Sequence, residues 1–103
     1  MWRRRSRAKD EETIRTARLV RPPHVRAASQ GRETVLLDVE RGRYYALNEV
    51  GSRIWSLVCE GMPFDVIVDR ICAEYDVSRE RGERDADALI RRLLGQSLVR
   101  CER

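Results

Sequence analysis

The order of apolar and polar positions divides the chain at Asn48, with a period of two before it and a helical period after it. Glu33–Val39 carries Val35, Leu37 and Val39 at alternate positions, the pattern of a strand buried on one face. Glu40-Arg41-Gly42 follows as a tight hairpin loop, in which Gly42 is free to take a positive φ. Arg43–Leu47 then returns as a second strand, and its Tyr44-Tyr45 pair suits a pleated surface. His24–Ala28, set between Pro22-Pro23 and a Ser29-Gln30-Gly31 turn, reads as a short strand ahead of both. The three form an antiparallel meander.

Asn48 suits the N-cap of a helix because its side chain can accept from the free amides of the first turn. Val50, Ile54, Leu57 and Val58 follow on one face with Trp55 beside them, and Gly61 is placed to end that helix. Pro63 opens a second helix, whose apolar stripe is Phe64, Ile67, Val68, Ile71 and Tyr75. Asp76–Gly82 reads as a polar connector. A third helix is expected from about Glu83 to Gln96, with Ala86, Leu89, Ile90, Leu93 and Leu94 on its apolar side. Leu98-Val99 then tucks under the core. The class is α+β, a three-stranded antiparallel sheet followed by three helices.

With 103 residues the chain has room for one domain. Its net charge of +4 is unevenly placed. Residues 1–26 hold nine basic side chains against three acidic ones, whereas the remainder holds 12 basic and 14 acidic. Residues 1–22 are therefore expected to be a basic, flexible extension and residues 23–103 the domain. Basic arms of this kind bind nucleic acid in some proteins, but a solvated charge run is the plainer reading. The folded part is slightly acidic, which disfavours DNA, since phosphate neutralisation supplies most non-specific affinity. Charge-free stretches such as Tyr44–Asn48 and Ile54–Cys59 are far shorter than the ~18 apolar residues of a membrane span. Arg3-Arg4-Arg5 is not followed by the apolar core of a secretory signal, so a cytoplasmic location and no membrane partner are expected.

Catalytic constellations are missing. Cys59, Cys72 and Cys101 are odd in number and widely spaced, which suggests neither a disulfide framework nor a zinc site. Cys59 and Cys72 lie in helical patterns, where a cysteine usually serves as a small buried hydrophobe. His24, the single histidine, reads as an exposed strand-end residue. Asp65, Asp69, Asp85 and Asp87 fall at helical surface spacings and solvate those faces. No catalytic residue, metal or cofactor is expected. The chain reads as a binding module rather than an enzyme.

Four stretches carry a resemblance. They are Val35-Leu36-Leu37-Asp38, Gly42-Arg43-Tyr44-Tyr45-Ala46-Leu47-Asn48, Ile54-Trp55, and Leu93-Leu94 with Leu98-Val99. Together they resemble the PqqD-like family, the precursor-peptide recognition elements of ribosomally made, post-translationally modified peptide pathways. The resemblance covers roughly the part of the chain from Val35 to Val99 and says nothing about the basic extension. It implies a winged-helix-like fold in which an unmodified leader peptide docks as an added strand between the third strand and the third helix. On this chain the pairing row would be Arg43, Tyr44, Tyr45, Ala46 and Leu47. The wall opposite would be a line through Asp87, Ile90, Arg91 and Leu94, with Leu89 and Leu93 turned to the core. Ile90 and Leu94 fit plain core equally well, and only one of the two tyrosines can face a ligand.

The resemblance further implies delivery of the leader-bound precursor to a separate enzyme, a leader peptidase of a lasso-peptide pathway being favoured. Two other functions compete. One is a PqqD-type chaperone of a radical enzyme in pyrroloquinoline quinone synthesis. The other is a winged-helix nucleic-acid-binding protein, using Arg84, Arg91 and Arg92. The oligomeric state is left open.

Overall fold

A computed structural model describes residues 18–102. Within them run β1 (Arg18–Val20), β2 (Val25–Gln30), β3 (Glu33–Asp38), β4 (Arg43–Leu47), α1 (Glu49–Cys59), α2 (Phe64–Tyr75), α3 (Arg79–Gly95) and β5 (Arg100–Glu102). The meander is present as an antiparallel sheet in the order β2-β3-β4, and β1 and β5 form a separate antiparallel pair. Most of the basic extension expected over 1–22 lies outside the described residues, but Arg18–Val20 belongs to β1 and Leu19 is buried.

The hairpin from β3 to β4 closes as its sequence predicts. Gly42 takes φ +67° and its amide donates to the Asp38 carbonyl at 2.8 Å. The face of β3 that turns inward is the opposite of the expected one. Thr34, Leu36 and Asp38 are buried, whereas Val35 and Leu37 are half-buried and Val39 is 49% exposed. Hydropathy alone favours the Val35–Leu37–Val39 set. Asp38 decides otherwise, because its Oδ1 accepts from the amides of Glu40 and Arg41, both at 3.0 Å, and stitches the loop from the inside. Its Oδ2 has no hydrogen-bond partner and is balanced by the Arg41 guanidinium 4.0 Å away. A buried carboxylate is tolerable when paired and bonded in this way.

Two boundaries also differ. β2 starts at Val25 and continues to Gln30, where Ser29 and Gln30 pair with Thr34 and Glu33, so the turn is Gly31-Arg32. The third helix begins at Arg79, four residues earlier than expected, which reduces the connector to residues 76–78. Ser78 caps it by accepting from the Arg81 amide at 3.1 Å. Ion pairs one turn apart, Arg79–Glu83 and Arg81–Asp85, then support its first turns.

Gly82 lies inside α3 rather than ending a loop. A Cβ there would stand 2.7 Å from the Cys72 Sγ, so its absence allows α2 and α3 to approach closely. α1 ends at Cys59, and the Gly61 and Met62 amides return to the Val58 and Leu57 carbonyls.

The core gathers Val25 and Leu36 from the sheet, Ile54, Leu57 and Val58 from α1, Ile67, Val68 and Ile71 from α2, and Ala86, Ile90 and Leu93 from α3. Trp55 joins it, as expected, and Leu98 and Val99 close it from below. Arg53 and Glu74 form a two-bonded pair between α1 and α2, at 2.8 and 3.0 Å. That pair raises the Arg53 pKa and lowers the Glu74 pKa, chiefly through the hydrogen bonds between the two side chains. No described helix is long and apolar enough to cross a membrane.

Removing the loop stitch tests the β3 orientation. Asp38→Ala should cost about 1–3 kcal/mol in urea denaturation, since it strands two amides, and Asp38→Asn should cost less. Equal stability of Asp38→Ala and the parent chain would mean that Asp38 does not hold the loop.

Candidate peptide-binding groove

β4 is an edge of its sheet. One side pairs with β3 from Leu47↔Thr34 to Arg43↔Asp38, and the other side has no strand partner among the described residues. The strand runs directly into α1 through Asn48, whose Oδ1 accepts from the Gly51 amide at 2.8 Å as its position predicts. Ser52 Oγ then donates to the Leu47 carbonyl at 3.2 Å, fastening the end of β4 to the helix.

Two hollows lie along this edge. One, about 230 Å³, is lined by Tyr44, Tyr45, Ala46 and Leu47 on the strand side and by Leu89, Arg92, Leu93, Gln96 and Leu98 opposite. The other, about 410 Å³, takes Ala46, Leu47 and Asn48, the first turns of α1 at Val50, Gly51 and Ile54, and Arg81, Asp85, Ala88, Leu89 and Arg92 of α3. Ala46, Leu47, Leu89 and Arg92 belong to both. The resulting groove has an apolar floor, a hydrogen-bonding strand edge on one side and charged residues on the rim.

Alternation across the sheet separates the two tyrosines. Tyr45 shares a face with buried Leu36 opposite it, is half-buried, and its hydroxyl donates to Gln96 Oε1 at 3.0 Å across the groove. Tyr44 points to the other face and is 73% exposed. Arg43 is exposed at the start of β4 and lines neither hollow.

The third helix places the expected wall residues away from these two hollows. Asp87, Ile90, Arg91 and Leu94 line neither hollow. Ile90 is fully buried at 0% exposure, Leu94 is half-buried against the core, and Asp87 accepts from Arg91 Nε at 2.8 Å along the helix. Leu89, assigned inward, lines the groove instead. The physical reason is the core stripe of α3, which is Gly82, Ala86, Ile90 and Leu93. The small residues of this stripe mark where α2 presses closest. Once it is recognised, Arg81, Asp85, Ala88 and Arg92 fall beside it on the groove side. Starting the helix at Glu83 hides Gly82 and leaves the stripe too short to set the rotation.

Other candidate groups lie apart from this groove. His24 donates from Nε2 to the Ser97 carbonyl at 2.9 Å, tying the start of β2 to the turn after α3. Cys59 is exposed at the end of α1, against the expectation of a buried filler, although partial desolvation pushes its thiol pKa up while Arg21 pulls the other way. Cys72 is half-buried between α2 and α3. The described residues contain no cluster of potential metal ligands. A wider hollow of about 920 Å³ lies on the opposite flank, between β1, the β2–β3 turn and α1. Two of its arginines are paired, Arg32 with Glu49 and Arg53 with Glu74.

A three-stranded sheet with one edge held open beside a helix defines a small α+β domain built around an exposed strand. The chain belongs to the PqqD family, whose model, described as coenzyme PQQ synthesis protein D, matches residues 33–99. Two solved structures are similar to it. TbiB1 in complex with the TbiA(beta) leader peptide is 44% identical, with a TM-score of 0.72, over 77% of this chain and 92% of that one. Lasso peptide synthetase B1 complexed with the leader peptide is 27% identical, with a TM-score of 0.76, over 82% and 99%. No curated protein is similar enough in sequence to match.

The two faces of α3 should separate in mutagenesis. Ile90→Ala should destabilise the fold by about 2–5 kcal/mol, while Arg92→Gln should stay within about 0.5 kcal/mol. Thermal and urea unfolding read both, and the reverse order would mean that α3 is rotated from this placement.

Proposed function

We propose that this chain binds the leader segment of a ribosomally made precursor peptide as an added strand on β4, against α3, and hands it to a separate processing enzyme. The observation that carries this reading is the free edge of β4 bordering two hollows with an apolar floor. An unpaired edge offers a row of backbone donors and acceptors, so an extended peptide gains affinity from main-chain bonds and selectivity from pockets for alternate side chains. Tyr44, Tyr45, Ala46 and Leu47 are then the pairing row, with Arg43 at its open end. Leu89, Ala88 and Arg92 form the opposing wall. Both solved neighbours hold a leader peptide, which supports the same ligand class here. The lasso-peptide context of the second favours a leader peptidase as the receiving enzyme over a radical enzyme of pyrroloquinoline quinone synthesis.

Nucleic-acid reading by α3 is disfavoured by its ion pairs. Of Arg84, Arg91 and Arg92, the first two are engaged with a carboxylate of this chain, which leaves Arg92 alone to meet phosphate.

Strand addition makes a sharp prediction about the peptide backbone. The leader peptide of the 44%-identical neighbour should bind with micromolar affinity or better by anisotropy. N-methylating alternate amides on one register should weaken it at least about tenfold, and the other register should be tolerated. Ala46→Pro, which removes an edge amide, should weaken the same peptide while near-ultraviolet circular dichroism stays native. Equal tolerance of both methylation registers would exclude strand pairing.

A further inference from the structure

We propose that Arg92 makes this groove selective for extended peptides that carry an acidic side chain two residues from an apolar anchor. The inference rests on the strand-addition reading and gives it a ligand chemistry. Arg92 is the cation common to both hollows. Its neighbours on α3 are already committed, Arg91 to Asp87 at 2.8 Å, Arg81 to Asp85 at 3.7 Å and Arg84 to Glu80 at 3.9 Å. Arg92 has no such partner among the described residues, and it stands beside Leu89 and Leu93 at the mouth of the apolar floor. A carboxylate delivered there meets a guanidinium whose fork matches it in two places. Arg92 is exposed, so solvent screens that pair and its effect is a preference for the acid rather than a requirement. Side chains of an added strand face α3 at every second position, which sets the spacing between acid and anchor.

The sequence ahead of β1 is rich in arginine and attracts acidic peptides through net charge alone, so the test must be specific to position. A displayed library of random linear peptides is selected on the full chain, on Arg92→Glu and on Arg92→Gln. The parent should enrich Asp or Glu two positions from a large apolar residue. Arg92→Glu should enrich Lys or Arg at that same position, and Arg92→Gln should lose the charge preference there. For one enriched peptide, changing its acid to the amide should cost the parent about five- to tenfold in Kd and cost Arg92→Gln nothing. Apolar spacing enriched without a charge preference, or the same acid enriched on all three proteins, would overturn the role of Arg92 while leaving strand addition intact. No enrichment of any extended pattern would overturn both.

Discussion

At Leu47-Asn48 a strand becomes a helix with no linker, and the open edge of β4 depends on that junction. Asn48 starts α1 by capping it, and Ser52 reaches back to the Leu47 carbonyl, so the last strand residue and the first helical turn are bonded together. The chain therefore leaves the sheet at once and passes beneath it. The next strand, β5, pairs with β1 instead, and α3 returns along the far side of β4. The groove is what remains between an edge strand and the third helix of a bundle that the junction sends under the sheet.

Electrostatics then divides the surface. Arginine is abundant, yet on the described helices most of it is spent internally: Arg53 braces α1 against α2, and Arg79 links α3 to Asp69 and Asp65 of α2. Exposed pairs of this kind contribute little stability each. Their larger effect is to neutralise one another and leave a few positions, Arg92 among them, where charge is unspent beside an apolar surface.

The sheet and helix order is legible in the sequence because period and punctuation agree there, as at Gly42, Asn48 and Pro63. Two kinds of feature are not. Which face of β3 turns inward rests on Asp38, a residue that hydropathy sends outward and loop hydrogen bonding draws in. The rotation of α3 rests on Gly82 and Ala86, whose value lies in being small beside α2, and a hydropathy stripe gives small residues little weight. A one-residue difference in helix position turns the surface by about 100°, enough to move Arg91 out of the groove and Arg92 into it. β4 carries no such ambiguity, since an edge presents its backbone whatever its side chains are. Strands β1 and β5 escape periodicity altogether, being too short to establish one.

That short β1–β5 pair has a further consequence. Arg18 lies opposite Glu102, so the described chain begins and ends at one seam. A unit with adjoining ends can be spliced into another protein through a single gap, as neighbouring chain ends permit. The seam joins the two extremes of the described sequence by backbone pairing, with Leu19 buried in the core beside it. The domain is in this sense a closed loop of chain, with a point of attachment as narrow as a hairpin.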